Sequence, residues 1–407
     1  MPKLASNKYC TGCLSCVDAC HHQAIKTIIR NSHPYVKIDT TKCIDCGLCE
    51  KACPVVTPVR TNSVENMHVY GGWAKNDETR ISAASGGAFS GLAQSFFRTH
   101  PNDKVAVYGA TLEQNRVRHI FIEKEADISR LSNSKYIQSN TEGIYRDVAE
   151  KLKNGYWILF SGCPCQIAAL YGFLGNKRRD NEHLITIEVV CHGIANNEAL
   201  DLHLNHYHSK KIYSFRDKRN NTQEWRYSQC TTIDFNGKKV KLKREEDIFY
   251  AIYASWLLDR KSCSNCKFSQ INRIADITLA DFWGLSNPDY YKKGVSLIIA
   301  NNEKANDFIL QAQAIHCFKE SLRTAMNGNS NLYTGFKFIQ WHPIVMWPKF
   351  CKRILPTNVR FNILTNKMPY KLFWAVFKVS TIYFTKLKKK KILKQLSTNE
   401  QTKNLLQ

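Results

Sequence analysis

The sequence predicts a mixed α/β protein of the α+β class, in which a small N-terminal domain precedes a larger one. Two observations indicate this organisation. Eight of the 16 cysteines lie in two equally spaced runs near the start of a chain of 407 residues, which is too long for one small domain. Farther on, apolar runs follow the order strand, helix, strand, which is typical of a packed α/β body.

The composition favours a folded protein of a reducing compartment. Hydrophobic residues make up 43% of the chain and aromatic residues 11%, which suits a packed core. Residues Met1–Cys10 include no apolar stretch of the kind that a secretory signal has, so we expect a cytoplasmic protein. There, cysteines at short regular spacing more often bind metal or carry out redox chemistry than form disulfides.

The charge is strongly positive and unevenly distributed. The chain has 58 Lys+Arg against 34 Asp+Glu, a formal net charge of +24, and residues 346–407 hold 14 Lys+Arg and one acid, Glu400. Such basicity favours acidic partners, namely a ferredoxin or other redox protein, a phosphorylated cofactor or an anionic membrane. Nucleic-acid binding is not favoured, because the charge lies in a tail and not in a recognisable reading motif.

Residues 1–60 carry the most specific motif, two runs of the spacing C-x2-C-x2-C-x3-C with Pro54 after the second. In this pattern three cysteines of each run bind one 4Fe-4S cluster and the fourth crosses to the other cluster. We therefore assign a first cluster to Cys10, Cys13, Cys16 and Cys53, and a second to Cys43, Cys46, Cys49 and Cys20. Zinc is the alternative, but zinc sites pair C-x2-C units across a longer gap.

Residues from about Tyr9 to Val56 thus resemble the two-cluster bacterial ferredoxins. His21 departs from that pattern, since it stands where the first run would have a proline. The change concerns the rigidity of the loop and not the ligands. Two adjacent clusters let an electron hop through the segment, so we expect an electron relay and not a place of substrate chemistry.

The segment from Thr57 to Glu65 reads as a linker to the larger domain. After it, Lys104–Ala110 and Val117–Glu123 are predicted strands, and Thr141–Asn154 is a predicted amphipathic helix. The predicted divisions after the linker are a first part of the body at 66–150, a second part at 151–345 and a basic amphipathic tail at 346–407.

A strand, helix, strand unit brings two cysteines together. The apolar runs Tyr156–Phe160 and Leu184–Val190 flank a helical run, Gln166–Leu174, so the strands are expected to be parallel and joined by a right-handed crossover. Cys165 follows the first strand and Cys191 ends the second, so both lie at the edge where open sheets bind ligands. Cys165 also follows Pro164 in the first helical turn, where the helix dipole favours a thiolate.

Cys263 and Cys266 add a C-x2-C pair before a strand-like run, Ile277–Ala280. We hypothesise a third 4Fe-4S cluster, and its four ligands are Cys165, Cys191, Cys263 and Cys266. In the alternative, the first two are buried core thiols and the pair binds a surface metal or nothing. The remaining thiols are treated as core residues, with one of them, Cys163, a substitute ligand; they are Cys163, Cys230, Cys317 and Cys351.

An ordered set of motifs resembles the beta subunit of coenzyme F-420-reducing hydrogenase and dehydrogenase over about Tyr70 to Ala300. The motifs are ASGGAFSGLA from Ala84, SGCPCQIAAL from Ser161, EVVCHG from Glu188, SFRDKRN from Ser214, and CSNCKF with ADITLADFWG between Cys263 and Gly284. Cys163 departs from this family, whose members usually have a threonine there.

The resemblance implies FAD, at least one 4Fe-4S cluster, and electron transfer between iron-sulfur centres and a hydride-carrying acceptor, a deazaflavin in the type members. For the flavin phosphate we single out Ser85, Gly86 and Gly87, since small residues before a helix let backbone amides approach a phosphate. An ordinary helix cap at Ser85 is the alternative. The matching Arg216, Asp217, Lys218, Asp281, Phe282 and Trp283 have no derived catalytic role.

We therefore expect an iron-sulfur flavoprotein oxidoreductase with unassigned catalytic residues, or else a non-catalytic electron-transfer subunit. His192 is a candidate proton donor, although a structural role is the favoured interpretation of a single histidine. The aromatic and aliphatic part of the tail, Pro369–Leu396, is too short and interrupted to span a bilayer. It either lies on a membrane surface with its lysines on anionic lipid, or docks on its own domain.

Overall fold

The computed structural model describes residues 1–175, 180–219, 229–242, 247, 249–250, 253, 259–287, 290, 292–333, 389–398 and 400–406. It has a mixed α/β fold in which the small N-terminal domain precedes a larger one, as predicted. The strands are β1 Ile25–Arg30, β2 His33–Ile38, β3 His68–Ala74, β4 Val105–Glu113, β5 Arg116–Ile122, β6 Trp157–Gly162, β7 Leu184–Val189, β8 Ser209–Asp217, β9 Gln229–Asp234, β10 Lys239–Leu242, β11 Ile277–Asp281, β12 Ser296–Ala300 and β13 Ile315–Lys319.

The α-helices of the described residues are short, and most lie in the larger domain. They are α1 Ser15–Asp18, α2 Leu48–Ala52, α3 Asp77–Ser82, α4 Ala88–Thr99, α5 Ile128–Leu131, α6 Ile144–Lys153, α7 Pro164–Leu174, α8 Asn197–His206, α9 Glu303–Gln311, α10 Leu322–Ala325 and α11 Glu400–Lys403.

The N-terminal domain repeats one small unit. β1 and β2 form an antiparallel pair, and each cysteine run contributes a single helical turn, α1 or α2. Leu14 and Gly47 precede these helices in the left-handed conformation, with φ of 61° and 71°. This sharp reversal turns the chain so that the third cysteine of each run, Cys16 or Cys49, lies inside a helical turn.

One mixed sheet of eight strands forms the centre of the larger domain. Its order is β13-β3-β12-β11-β7-β6-β4-β5, and β4, β6, β7 and β11 are parallel. β8, β9 and β10 form a separate antiparallel sheet. The carboxyl ends of the four parallel strands therefore meet along one edge of the large sheet, which we call the carboxyl edge.

Both faces of the sheet are covered. Leu92 and Phe96 of α4 and Ile309 of α9 pack on one face. Val148 of α6 and Ile167 of α7 pack on the other, together with Cys53 of the N-terminal domain. Strands buried on both faces are expected to be largely apolar, as Trp157–Phe160 is throughout and Leu184–Ile187 is apart from Thr186.

The strand, helix, strand unit is confirmed. β6 and β7 are parallel neighbours in register from Ile158 with Leu184 to Gly162 with Glu188, and α7 connects them. The strands expected at Lys104–Ala110, Val117–Glu123 and Ile277–Ala280 correspond to β4, β5 and β11.

The described end of the tail packs on the larger domain. Ile392, Leu393 and Leu405 contact a core cluster that contains Met67 and Met326. Most of the apolar run Pro369–Leu396 lies outside the described residues, so its membrane-surface interpretation stays a prediction. Of the helices that the structure describes, none combines the length and apolar character needed to cross a membrane.

Candidate iron-sulfur and redox site

The first cysteine run and Cys53 lie together. Burial raises the pKa of the Cys16 thiol well above its ordinary value, and the nearby Cys13, Cys53 and Cys10 add to the rise. Burial also raises the pKa of Cys13 to about 11, with Cys53 and Cys10 contributing. Mutual repulsion of this kind requires short separations, so these thiols surround one small volume.

The second cysteine run lies nearer the surface. Burial raises the pKa of Cys49 to about 11, and Cys20 and Cys46 contribute to the rise. Cys46 is exposed, and the Cys20 sulfur accepts a hydrogen bond from the Ala24 N–H at 3.3 Å. These neighbours include the ones that the crossed ligand assignment requires, but Cys49 also adds to the rise at Cys16, so the assignment stays a prediction.

Buried polar contacts fix the N-terminal domain on the larger one. The Asp18 carboxylate, 1% exposed, accepts from the N–H groups of Gly143 and Tyr145 at 2.6 and 3.0 Å and so caps α6 across the domain boundary. Ser15 Oγ donates to the carbonyls of Ala52 and Ala169 at 3.0 and 3.1 Å. The first cysteine run therefore keeps a fixed position relative to α6 and α7.

Polar side chains of the larger domain also hold the loop that carries the first three cysteines. Gln138 Nε2 donates to the carbonyls of Thr11 and Gly12, both at 3.0 Å. Thr141 Oγ1 donates to the Cys13 carbonyl at 2.7 Å. Backbone acceptors in this loop are thus satisfied by residues more than a hundred positions away.

Four cysteines of the larger domain are brought together at the carboxyl edge. Burial raises the pKa of Cys165 well above its ordinary value, and Cys191, Cys266, Cys13 and Cys263 all add to the rise. Burial likewise raises the pKa of Cys266, with Cys191 contributing. At Cys165 burial and the neighbouring thiols outweigh the favourable helix position that the sequence indicated.

Cys163 belongs to the same group. It shares a hydrogen bond with Cys191 that raises the pKa of Cys163 and lowers that of Cys191. The Cys163 N–H also donates to Gln166 Oε1 at 2.9 Å in the first turn of α7. The side chain that departs from the family pattern therefore lies among the proposed ligands, whereas Cys230 is a core thiol away from them.

A buried ion pair supports the Cys191 loop. Arg273 Nε donates to Glu188 Oε1, and both side chains are almost fully buried. The Arg273 charge also acts to lower the pKa of Cys191. Asn331 Nδ2 donates to the Cys191 carbonyl at 2.8 Å, so both sides of this loop are held.

The residues matched in SFRDKRN and ADITLADFWG have defined places. Arg216 Nη1 donates to Asp281 Oδ2 at 2.7 Å in a largely buried pair. Burial lowers the pKa of His192, which lies close enough for Asp281 to oppose that effect. Lys218 Nζ donates to the carbonyls of Arg80, Ser85 and Lys293, and burial lowers its pKa to about 7.

The Ser85–Gly87 turn precedes α4, as expected, but its groups already have partners. Gly87, with φ of 81°, is the residue that caps α4, and Ser85 Oγ donates to the Val295 carbonyl at 2.8 Å. The Gly86 N–H donates to Ser296 Oγ at 3.1 Å. The phosphate-binding role of this turn stays a prediction.

A cavity of about 950 Å³ opens beside this turn. It lies between the end of β4 and the starts of α3 and α4, and its lining includes Ser82, Ser90, Lys135, Ser214 and Asp217. Burial lowers the pKa of Lys135 to about 7, and its ammonium donates to the carbonyls of Leu131 and Ser132. The volume suits a ligand of dinucleotide size.

Sequence reasoning did not identify several residues of this site. Asp18, Gln138 and Lys135 are common surface residue types with no motif spacing, and only the folded contacts give them a place. Arg260 could have been noticed, because it lies three residues before Cys263. Within the described residues, no three His, Cys, Asp or Glu side chains are arranged to hold a single metal ion; a 4Fe-4S cluster instead spreads four thiolates over four irons.

Two protein-family models match parts of the chain. Residues 9–56 match the 4Fe-4S dicluster domain, and residues 156–321 match the C terminus of the coenzyme F420 hydrogenase/dehydrogenase beta subunit. No curated protein matches the chain. A chain of the F420-reducing [NiFe] hydrogenase complex from Methanosarcina barkeri is similar at 13% identity and a TM-score of 0.44, over 64% of this chain and 85% of that one.

The dicluster match covers all eight cysteines of the two N-terminal runs, and the beta-subunit match covers the five that meet at the carboxyl edge. The chain therefore joins a region that matches the 4Fe-4S dicluster domain to a region that matches the C terminus of the coenzyme F420 hydrogenase/dehydrogenase beta subunit.

Proposed function

We propose that this chain is an iron-sulfur flavoprotein oxidoreductase. Electrons pass from a ferredoxin or other redox protein through the two N-terminal clusters and a third cluster to FAD, and then to an organic acceptor, or in the reverse direction. The observation that carries the proposal is the convergence of Cys165, Cys191, Cys263 and Cys266 at one edge of the sheet, within electrostatic range of Cys13. That convergence supports a continuous path from the dicluster domain into the larger domain.

The outer end of the path is the second cysteine run. Cys46 is exposed, and the neighbouring Ile44 and Leu48 are exposed apolar residues. A redox partner that covers these side chains comes close to the second cluster. The inner end is Cys13, a half-buried residue whose carbonyl is held by Thr141 and whose thiol lies within electrostatic range of Cys165.

A third 4Fe-4S cluster fits the group at the carboxyl edge. Its donors are thiols, which are the usual protein ligands of such clusters. Burial first, and neighbouring thiols second, raise the pKa values of Cys165 and Cys266, and iron bound there would stabilise the thiolates. Cys163 is a fifth thiol within reach and is available as a substitute ligand.

FAD fits the cavity beside α4. When bound, it exchanges single electrons with clusters and hydride with the acceptor. Phe215 and Asp217 line the cavity, and Arg216 between them pairs with Asp281, next to the His192 that follows Cys191. Arg216, Asp281 and His192 thus link the cavity lining to the Cys191 loop. Lys135 is a half-buried amine of the lining whose pKa is lowered to about 7, and an anionic part of the ligand would favour its charged form.

In this proposal His192 is a neutral imidazole that donates a hydrogen bond. Burial lowers its pKa, and the Arg216 charge acts in the same direction, so the ring is uncharged at neutral pH. A neutral imidazole can donate one N–H and accept at its other nitrogen. The acceptor is a small organic molecule, a deazaflavin as the family name suggests or another hydride carrier.

Counting iron and flavin in the anaerobically purified full chain tests the proposal. We expect about twelve iron atoms per chain, and a Cys263→Ala, Cys266→Ala double variant should hold about eight. Cys230→Ala, which removes a core thiol, is the matched control and should keep about twelve. About eight irons in the wild type would remove the third cluster, and clusters without flavin would leave an electron-transfer subunit as the function.

A further inference from the structure

Arg260 is the largest charged side chain buried beside the dicluster domain. It is 1% exposed, although it belongs to the larger domain. Its Nε donates to the Cys10 carbonyl at 2.7 Å, and its Nη2 lies 3.6 Å from the Cys10 sulfur. A guanidinium thus reaches across the domain boundary to a ligand of the first cluster.

The surroundings hold this guanidinium in one orientation. Nη1 donates to Gln138 Oε1 at 3.1 Å, and the group lies 4.2 Å from the centre of the Tyr35 ring. A side chain at Gly12 would meet Nη1 at 2.5 Å, so the glycine between Cys10 and Cys13 is what lets the guanidinium approach. The loop between Cys10 and Cys13 and the Arg260 guanidinium therefore have complementary shapes.

The same residue reaches the other group of cysteines through its backbone. The Arg260 carbonyl accepts a hydrogen bond from the Cys263 N–H at 3.0 Å. A side chain added at Gly193, two residues after Cys191, would collide with Asp259. Residues 259–260 are therefore wedged between the first cysteine run and the group at the carboxyl edge.

The acceptors described for Arg260 are a carbonyl, an amide oxygen and a sulfur, none of which is a carboxylate. Burying a cation is costly unless negative charge or good hydrogen bonds offset it. A cysteine-ligated 4Fe-4S cluster, with about two negative charges, offers that charge at the Cys10 sulfur. The residues present therefore fit an anionic cluster at this place.

We propose that Arg260 is a positioning residue that raises the reduction potential of the first cluster and fixes its separation from the carboxyl-edge cysteines. Positive charge and hydrogen bonds to a ligand sulfur stabilise the more negative, reduced form of a cluster. The second cluster lacks this contact with Arg260, so the residue favours electron residence on the inner of the two. The link to the Cys263 loop rests on the proposed third cluster, whereas the effect on the first cluster does not.

The experiment is an anaerobic redox titration of the full chain, monitored by electron paramagnetic resonance, with iron counted in each sample. Arg260→Gln should lower the equilibrium constant for reducing one N-terminal cluster at least tenfold, which is about 59 mV for a one-electron couple. Arg260→Lys keeps the charge but not the fork of donors, so it should restore part of the shift. Arg60→Gln, which removes an exposed arginine paired with Asp180, is the matched control and should leave both potentials unchanged.

Unchanged potentials in fully loaded Arg260→Gln protein would overturn the proposal. If Arg260→Gln fails to retain its clusters, the potential of the first cluster in Arg260→Lys decides, and an unchanged potential there would likewise overturn the proposal. If neither variant retains its clusters, Arg260 is needed for cluster assembly, and its role in setting the potential is overturned. A wild type with only about eight irons would reject the third cluster. The readout on the first cluster would still stand in that case.

Discussion

Single buried side chains decide how this site responds to pH. His119, 4% exposed on β5, has one ring nitrogen 2.9 Å from the Ser161 carbonyl, and burial lowers its pKa to about 4. A base whose pKa is lower in the folded state stabilises the fold fully only above its unfolded value. That contribution is lost as pH falls toward 4.

We therefore expect a fall from about pH 7.5 to about pH 5 to cost about 2 kcal/mol through His119. His119→Gln, which keeps a donor for the Ser161 carbonyl, should lose less stability over this range than the wild type. The urea midpoint, measured anaerobically at both pH values, checks this. His22→Gln removes an exposed histidine and should respond like the wild type; equal pH responses of all three proteins would contradict the prediction.

At the residue scale, the sequence predicted the cysteines that recur in motifs and missed single residues that make long-range contacts. The eight N-terminal cysteines, and also Cys263 with Cys266, stand out because short intervals between thiols are rare, whereas Cys165 and Cys191 stand out because each follows a predicted strand. Asp18 and Arg260 act on atoms more than a hundred positions away. No local pattern encodes such a contact, because it exists only after both domains have folded.

At the element scale, α7 is the surface on which the dicluster domain rests. Its Gly172 lies so close to α2 that an added side chain would meet the Ala52 carbonyl at 2.7 Å. Ser15 Oγ bridges the same two elements through the carbonyls of Ala52 and Ala169. A backbone carbonyl cannot move aside as a flexible side chain can, so the contact tolerates glycine alone.

Gly172→Val should therefore separate α2 from α7 and loosen the dicluster domain. We expect amide hydrogen exchange in α2 to accelerate about tenfold, which corresponds to a loss of about 1.4 kcal/mol in local opening free energy. Mass spectrometry of the anaerobic protein measures this. Glu150→Val also places a valine in a helix, but on an exposed face of α6, and should leave α2 unchanged; equal exchange in both variants would count against the contact.

The predicted elements were those with a strong local pattern. β4 to β7, α6 and α7 follow from apolar runs and helical periodicity, and the parallel pairing of β6 with β7 follows from the strand, helix, strand order. The positions of β3, β12 and β13 beside them could not be predicted, because antiparallel pairing of residues 68–74 with residues 296–300 and 315–319 is set by packing across the whole domain.

At the scale of the whole molecule, the carboxyl edge of the sheet collects the chemistry. The cavity lies at the end of β4, Cys163 and Cys165 follow β6, Cys191 follows β7, and Asp281 ends β11. Parallel strands make this possible, because all of their carboxyl ends face the same way. The strand order of the sheet therefore determines the order of the cavity and the cysteine thiols along this edge.

Filling the cavity should separate its function from that of the clusters. Gln94 lies on α4 and lines the cavity, so Gln94→Trp should abolish flavin binding and keep the iron content of the wild type. Absorbance of the released cofactor, beside an iron assay, measures both. Thr99→Trp places the same side chain on an exposed position of α4 and should keep the flavin; retained flavin in Gln94→Trp would move the flavin site elsewhere.

The exposure of Cys46 also determines where oxygen first damages the protein in air. Oxygen reaches an exposed thiolate first, whereas Cys16, Cys49 and Cys53 are shielded by protein. Oxidation in air is thus expected to begin at the exposed Cys46 of the second cluster and to reach the buried cysteines later. A partly oxidised sample therefore keeps its buried clusters but loses the second cluster, through which a redox partner would deliver electrons.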